Sequence, residues 1–269
     1  MERVLITGAA GNIGDRLRDL LAGVYPLLRL SDLAPLRPAA DGEEVVQCDL
    51  RDAEAVDALV AGIDGIIHLG GISGEAPFDD ILGANIAGIY NLFEAARKAG
   101  TRRIVFASSN HAVGFYRRSV TTDHAVYPRP DSRYGLSKAF GEALGSLYAD
   151  KHGLQVMCIR IGNANDAPLD ERRLAIWISY RDLAQLCRIG LEYPELHFEV
   201  VYGASDNARS WWDNTNAYRL GYRPQDRAED HVEGAMRAQT GLPPDPVGDE
   251  FQGGTFCSDE FDHRADALP

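Results

Sequence analysis

Tyr134 and Lys138 stand four residues apart in Tyr134-Gly135-Leu136-Ser137-Lys138, a spacing that places both side chains on one face of a helix. A phenol of pKa about 10 is a poor base at neutral pH. An ammonium one turn away favours the phenolate and draws it toward working range. Such a pair is suited to taking a proton from an alcohol. Of the 27 basic residues only three are lysines, Lys98, Lys138 and Lys151. Where this chain needs only a solvated positive charge it uses arginine, so Lys138 points to a need for a compact ammonium. Ser108-Ser109 closes a β-rich run upstream of Tyr134. A Ser109 hydroxyl there can bond the same substrate oxygen as Tyr134 and polarise it.

A second constellation opens the chain. Gly8, Gly11 and Gly14 lie in Thr7-Gly8-Ala9-Ala10-Gly11-Asn12-Ile13-Gly14, between a first strand and a first helix. Gly8 permits the tight turn, Gly11 lets backbone approach a pyrophosphate, and Gly14 lets helix and strand pack closely. The helix start at Asn12-Ile13 then offers unpaired N–H groups to the phosphates. Asp32 ends the second strand, where a carboxylate accepts ribose hydroxyls and repels a 2′-phosphate. No arginine follows it in Leu33-Ala34-Pro35-Leu36, so NAD is favoured over NADP. Asp49-Leu50 ends the third strand and faces either adenine or a helix start. Leu69-Gly70-Gly71 offers small residues where a cofactor runs across the sheet edge, with Ser73 just beyond.

Regular elements must bring these groups together. Strands are expected at Arg3–Thr7, Leu27–Asp32, Glu44–Cys48, Gly65–Leu69, Arg103–Ala107 and Gln155–Ile161, several of them unbroken apolar runs typical of strands buried on both faces. Helical periods cover Ile13–Ala22, Ala53–Ala61, Asp80–Ala99, which Gly100 caps, and Ser132–Lys151. The alternation implies βαβ crossovers and an α/β, doubly wound parallel sheet. Residues 1–162 form the nucleotide-binding core. Beyond it the rhythm weakens to a loop (Asn163–Asp170), a helix (Arg181–Ile189), a strand (His197–Tyr202), a helix (Glu229–Gln239) and a tail from Pro243. Residues 163–269 are expected as a small cap and tail of the same compact unit.

Composition narrows the partners. Forty acidic against 27 basic residues give a net charge of −13, which argues against nucleic acid and anionic lipid. No apolar run approaches the roughly 18 residues that span a bilayer, and the N-terminus lacks a leader pattern. Cys48, Cys158, Cys187 and Cys257 form no CxxC pair, so neither a disulfide framework nor a metal site is expected and a reducing, cytoplasmic setting is. At this size a homo-oligomer is expected. Trp211, Trp212, Phe251 and Phe256 are open to either an interface or a cap core.

TGAAGNIG, Asp32, the Asn85-Ile86-Ala87-Gly88-Ile89-Tyr90-Asn91 helix, ASSNHAVG and YGLSK occur in the order found in extended short-chain dehydrogenases/reductases, and the chain resembles that family over roughly residues 1–165. The resemblance implies a Rossmann core and a catalytic Ser109, Tyr134 and Lys138. It also implies a motif role for Asn85 and a nicotinamide contact at Ile161. The chain departs from many members in having Val113-Gly114 where they have Tyr-Gly. HLGGIS, FASSNHAVGFY, WWDN and FQGGTF extend the likeness to sugar-acid-oxidising members over nearly the whole chain.

The implied reaction is oxidation of the anomeric hydroxyl of a free hexuronate, D-glucuronate or D-galacturonate, to an aldarolactone. Tyr134 takes the proton from O1 and C1 gives hydride to NAD. A uronate needs a cation, and a guanidinium binds carboxylate bidentately. Arg172 is the expected clamp, with Arg173 as the alternative. Ser73, Asn110 and His111 are expected to hold sugar hydroxyls. Two rivals stand beside this reading. A nucleotide-sugar epimerase or dehydratase would need more than the 107 residues that follow Gly162. A non-catalytic NAD-binding redox sensor could dispense with the Tyr–Lys pair.

Overall fold

Seven parallel strands lie in the order β3-β2-β1-β4-β5-β6-β9 in a computed structural model, which describes residues 1–263. The chain runs β1 (Arg3–Thr7), α1 (Asn12–Leu21), β2 (Leu27–Asp32), β3 (Glu43–Gln47), α2 (Ala53–Val60) and β4 (Gly65–His68). It continues through α3 (Phe78–Ile81), α4 (Gly88–Ala99), β5 (Arg103–Ser109), α5 (Arg133–His152) and β6 (Gln155–Ile161). The remainder comprises β7 (Asn163–Ala164), α6 (Glu171–Ile176), β8 (Trp177–Ile178), α7 (Tyr180–Glu192), β9 (Phe198–Gly203), α8 (Thr215–Arg219), α9 (Val232–Gln239) and α10 (Thr255–Ser258).

Side chains alternate across the sheet into two cores. Val4, Ile6, Leu28, Leu30, Ile67 and Val105 pack against Leu17 of α1 and Leu183 of α7. Leu5, Ile66, Ile104 and Phe106 pack on the other face against Val56 of α2, Leu92 of α4 and Leu144 of α5. This is the physical reason those strands read as continuous apolar runs. The sheet takes its seventh strand from beyond residue 162, because β9 pairs with β6 from Val156↔Phe198 to Ile161↔Gly203. α7 covers one face of the sheet, so part of the segment after 162 belongs to the core.

Strand order reverses at β1, which is flanked by β2 and β4. Open α/β sheets bind ligands at the carboxyl ends of strands beside such a reversal. Register aligns Thr7 with His68 and Ser109 with Ile161 at that edge.

The helix expected over Asp80–Ala99 is helical from Phe78, but Leu82–Ala87 is one π-helical turn. Single π turns often occur at functional sites, and this one carries Asn85. Gly100 ends α4 in the left-handed region at φ 76°, as its position suggests. Ser132 caps α5 by accepting from Gly135 N at 2.9 Å. The tail from Pro243 folds onto the body: Phe251 is fully buried and bridges to Arg117. Its last six residues, 264–269, lie outside the described residues. Trp212 is buried and stacks on Tyr202 with centroids 4.6 Å apart, so Trp212 and Phe251 belong to the interior.

Candidate active site

At the reversal a cleft of about 890 Å³ opens over the strand ends. Gly8 turns out of β1 at φ 71°, and a Cβ there would meet Leu69 C and Gly70 N within 2.8 Å. A Cβ on Gly14 would strike Gly8 O. No side chain caps the α1 start at Gly11, so the first N–H groups remain available to an anion. Asn12 and Ile13 line the cleft there, and Asn12 Nδ2 donates to Tyr180 Oη at 2.6 Å.

Asp32 lines the cleft with its carboxylate braced on both oxygens. It accepts from Ala10 N at 2.9 Å and from Ala34 N at 3.0 Å. Asp49 and Leu50 line the far end. The Asp49 carboxylate is held below the usual range by hydrogen bonds from the Arg51 side chain. Asp49 does not cap α2. That role belongs to Asp52, which accepts from Glu54 N and Ala55 N. Arg51, which the sequence reading passed over, also lines this end.

Leu69, Gly70, Gly71 and Ser73 form the middle wall. Asn85 stands behind it rather than in it. Its amide accepts from Ile72 N at 2.8 Å and donates to Ile72 O and Ser137 Oγ, each at 3.0 Å. A Cβ on Gly71 would collide with that amide at 2.8 Å. Asn85 therefore ties the wall to α5. Thr7 Oγ1 lies 2.7 Å from His68 Nδ1 beneath the floor and accepts from Gly70 N at 3.2 Å. Full burial pushes His68 down to about 3, with repulsion from Lys138 adding to the fall.

Ser109, Tyr134 and Lys138 all line the cleft. Ser109 is the last residue of β5, and its Oγ accepts from His111 N at 3.2 Å. Ser108 is committed elsewhere, donating to Glu142 Oε1 at 2.6 Å. Glu142 in turn forms a buried bidentate pair with Arg160, both bonds 2.9 Å. Burial works against the phenolate expected from the Tyr–Lys pair. Burial pushes Tyr134 up to about 12, against a lowering hydrogen bond with Ser109 and with a further raise from Asp131. Lys138 Nζ donates instead to Ala107 O at 2.8 Å, 5.4 Å from the Tyr134 ring centroid. Its own burial pushes it down to about 8. Desolvation disfavours both charged forms.

Asn110 and Arg172 lie one step behind the cleft. With its amide oriented to satisfy both neighbours, Asn110 donates to Ile161 O at 3.1 Å and accepts from Arg172 Nη2 at 3.3 Å. Arg172 Nε and Nη2 both donate to Gln252 O, at 2.9 and 2.6 Å. No carboxylate pairs with Arg172 among the described residues. Burial, with repulsion from Arg173 and Arg118, pushes it down to about 10. Arg173 is occupied by Asp170, the N-cap of α6.

Sequence reasoning missed Asp131, Phe256 as a ring partner, and Gln252. His111 lines the cleft, stacks on Phe256 at 3.9 Å, and places Nδ1 2.7 Å from Asp131 Oδ2. Only the tertiary fold brings the Phe251–Phe256 segment against the end of β5. Asn163 Oδ1 is a buried acceptor without a partner among the described residues, next to the Ile161–Gly162 end of the cleft.

Residues 4–179 match the NAD dependent epimerase/dehydratase family. The chain is 49% identical to the uronate dehydrogenase of Pseudomonas putida over 260 residues, 95% of each chain. It is 49% identical to that of Agrobacterium fabrum over 261 residues, 95% of this chain and 97% of the relative. A crystal structure of a variant uronate dehydrogenase from Agrobacterium tumefaciens, complexed with NAD, is similar with a TM-score of 0.92 and 48% identity, covering 96% of this chain and 97% of that one.

Proposed function

The chain belongs to the NAD dependent epimerase/dehydratase family, and from that premise we propose that it oxidises the anomeric carbon of a free hexuronate, D-glucuronate or D-galacturonate, to the aldarolactone with NAD as acceptor. The observation that carries this reading is Arg172, a half-buried guanidinium with neutral hydrogen-bond partners and no carboxylate paired with it among the described residues. It sits one hydrogen bond from Asn110, which adjoins Ser109. A substrate carboxylate supplies the missing anion with charge-assisted bonds. The relatives named as uronate dehydrogenases support the same substrate class.

The residues present fit NAD. Gly8, Gly11, Asn12, Ile13 and Gly14 leave backbone and open N–H groups for a pyrophosphate. Asp32, already braced, takes the adenosine ribose hydroxyls, and Asp49 and Leu50 border the adenine. Leu69, Gly70 and Gly71 leave room for the cofactor to cross the sheet edge, with Asn85 holding that wall in place. Ile161 borders the nicotinamide. When bound, NAD would supply the hydride acceptor, and its oxidised nicotinamide ring would carry a positive charge that favours an anionic base.

Tyr134 then ionises more readily than burial alone allows, and its phenolate takes the proton from O1. Ser109 orients O1. Lys138 holds the nicotinamide ribose and adds positive charge near the phenol. Ser73 and His111 hold sugar hydroxyls, and Asn110, behind them, joins Arg172 to the end of β6. The segment after residue 162 serves as a small cap that carries Arg172 up behind Asn110, while its β9 and α7 complete the core. With four free buried cysteines, the enzyme works in the cytoplasm, as a homo-oligomer. The deciding experiment supplies purified protein and NAD with free uronates and neutral aldoses and follows NADH absorbance. Uronates give turnover and neutral aldoses little. Equal rates with both classes would overturn the reading.

A further inference from the structure

We propose that Asp131 is a positioning residue that locks His111 into the one neutral tautomer able to accept a hydrogen bond from a substrate hydroxyl. The inference rests on the uronate reading for the identity of that hydroxyl, but not for the state of the ring.

The Asp131 carboxylate has no solvent exposure. Oδ1 accepts from Ser132 Oγ at 2.7 Å, and Oδ2 lies 2.7 Å from His111 Nδ1. No lysine or arginine pairs with it among the described residues. The space for it is built from three directions. A Cβ on Gly114 or Gly253 would run into this carboxylate, and one on Gly135 would strike His111 O and come within 3.0 Å of Asp131 Oδ1, so the turn after β5, the C-terminal segment and the first turn of α5 all leave room for it. A buried anion is costly unless its oxygens are hydrogen-bonded, and Ser132 Oγ and the His111 ring each meet one of them.

The consequence falls on His111. A carboxylate only accepts, so Nδ1 carries the proton, and in the neutral ring Nε2 keeps its lone pair. Phe256 stacks on one face at 3.9 Å, and Tyr134 meets the ring edge-on with centroids 5.8 Å apart. The ring thus cannot turn freely beside the reacting phenol. A hydroxyl is the sugar group that can donate to such an acceptor, whereas a carboxylate cannot. His111 therefore reads hydroxyl and leaves the carboxylate to Arg172.

Long-range proton–nitrogen spectra of protein labelled with ¹⁵N in histidine rings distinguish the tautomers. The spectrum of His111→Gln identifies the His111 signals. The expected wild-type state is Nδ1–H with bare Nε2. In Asp131→Asn the amide oxygen keeps the Ser132 bond and its NH₂ faces the ring, so the proton moves to Nε2. The same variant should raise KM for the uronate about tenfold or more with NADH affinity unchanged. With 2-, 3- and 4-deoxyuronates the penalty should vanish for one analogue, the one lacking the hydroxyl His111 reads. A wild-type ring protonated at Nε2, or a penalty equal across all analogues, would overturn the proposal. The wild-type spectrum decides the tautomer even if Asp131→Asn fails to fold. If no uronate is turned over at all, the reaction assignment fails while that spectrum still tests the ring.

Discussion

Lys138 Nζ donates to Ala107 O at 2.8 Å and stands 5.4 Å from the centre of the Tyr134 ring. The ammonium is anchored to the end of β5, and it reaches the phenol only as a nearby charge. Burial is the largest influence on both groups, raising Tyr134 to about 12 and lowering Lys138 to about 8. Tyr134→Phe should therefore abolish turnover and leave NADH binding intact, as measured by steady-state rates and fluorescence titration. Lys138→Met should lower kcat by about 10²-fold or more. Because Lys138 loses its proton as pH rises through about 8, the benefit of its charge should fade above that pH. Absorbance titration of tyrosinate should show Tyr134 ionising at lower pH with NAD than without it.

Arg172→Ala should raise KM for uronates about tenfold or more, roughly 1–3 kcal/mol for a charged hydrogen bond, and leave any slow oxidation of neutral aldoses unaffected. Arg173→Ala should act mainly on stability, because its partner is the α6 cap Asp170. Equal KM effects from the two variants would move the clamp away from Arg172.

Asp32 meets Ala10 N and Ala34 N with its two oxygens, so its carboxylate is fixed before a ribose arrives. Asp32→Ser should weaken NAD and narrow the preference over NADP. The comparison of kcat/KM for both cofactors reads this directly. An unchanged ratio would show that cofactor choice is made elsewhere.

His68 supplies a pH prediction with a definite sign. Its ring ionises near 6.5 when unfolded but only near 3 when folded, so between these values the unfolded chain binds more protons. Stability is retained above pH 6.5 and lost as pH falls toward 3. From pH 7 to 5 the contribution is about 2 kcal/mol. Denaturant midpoints should fall over that interval in the wild type and fall less in His68→Gln. Parallel losses would place the acid sensitivity on other groups.

Much of the frame was legible because it depends on local spacing. Apolar runs mark the buried strands, Gly8 and Gly14 mark contacts that exclude a Cβ, and the four-residue step from Tyr134 to Lys138 is a property of any helix. What lay outside the sequence pattern was long-range. Asp131 and His111 are 20 residues apart, Arg172 and Gln252 are 80 apart, and no periodicity connects such pairs. Asn85 appeared as a motif residue, yet the π turn places its amide behind the cleft wall.

The residue order by itself determined which groups stand at strand ends, since a parallel sheet delivers each carboxyl end to one edge whatever covers it. The tertiary structure alone decided their surroundings and company. Burial is a property of the packed whole and opposes the expected ionisation of Tyr134, while the packing gives Arg172 neutral partners and seats the Asp131 carboxylate against Gly114 and Gly253 from separate segments.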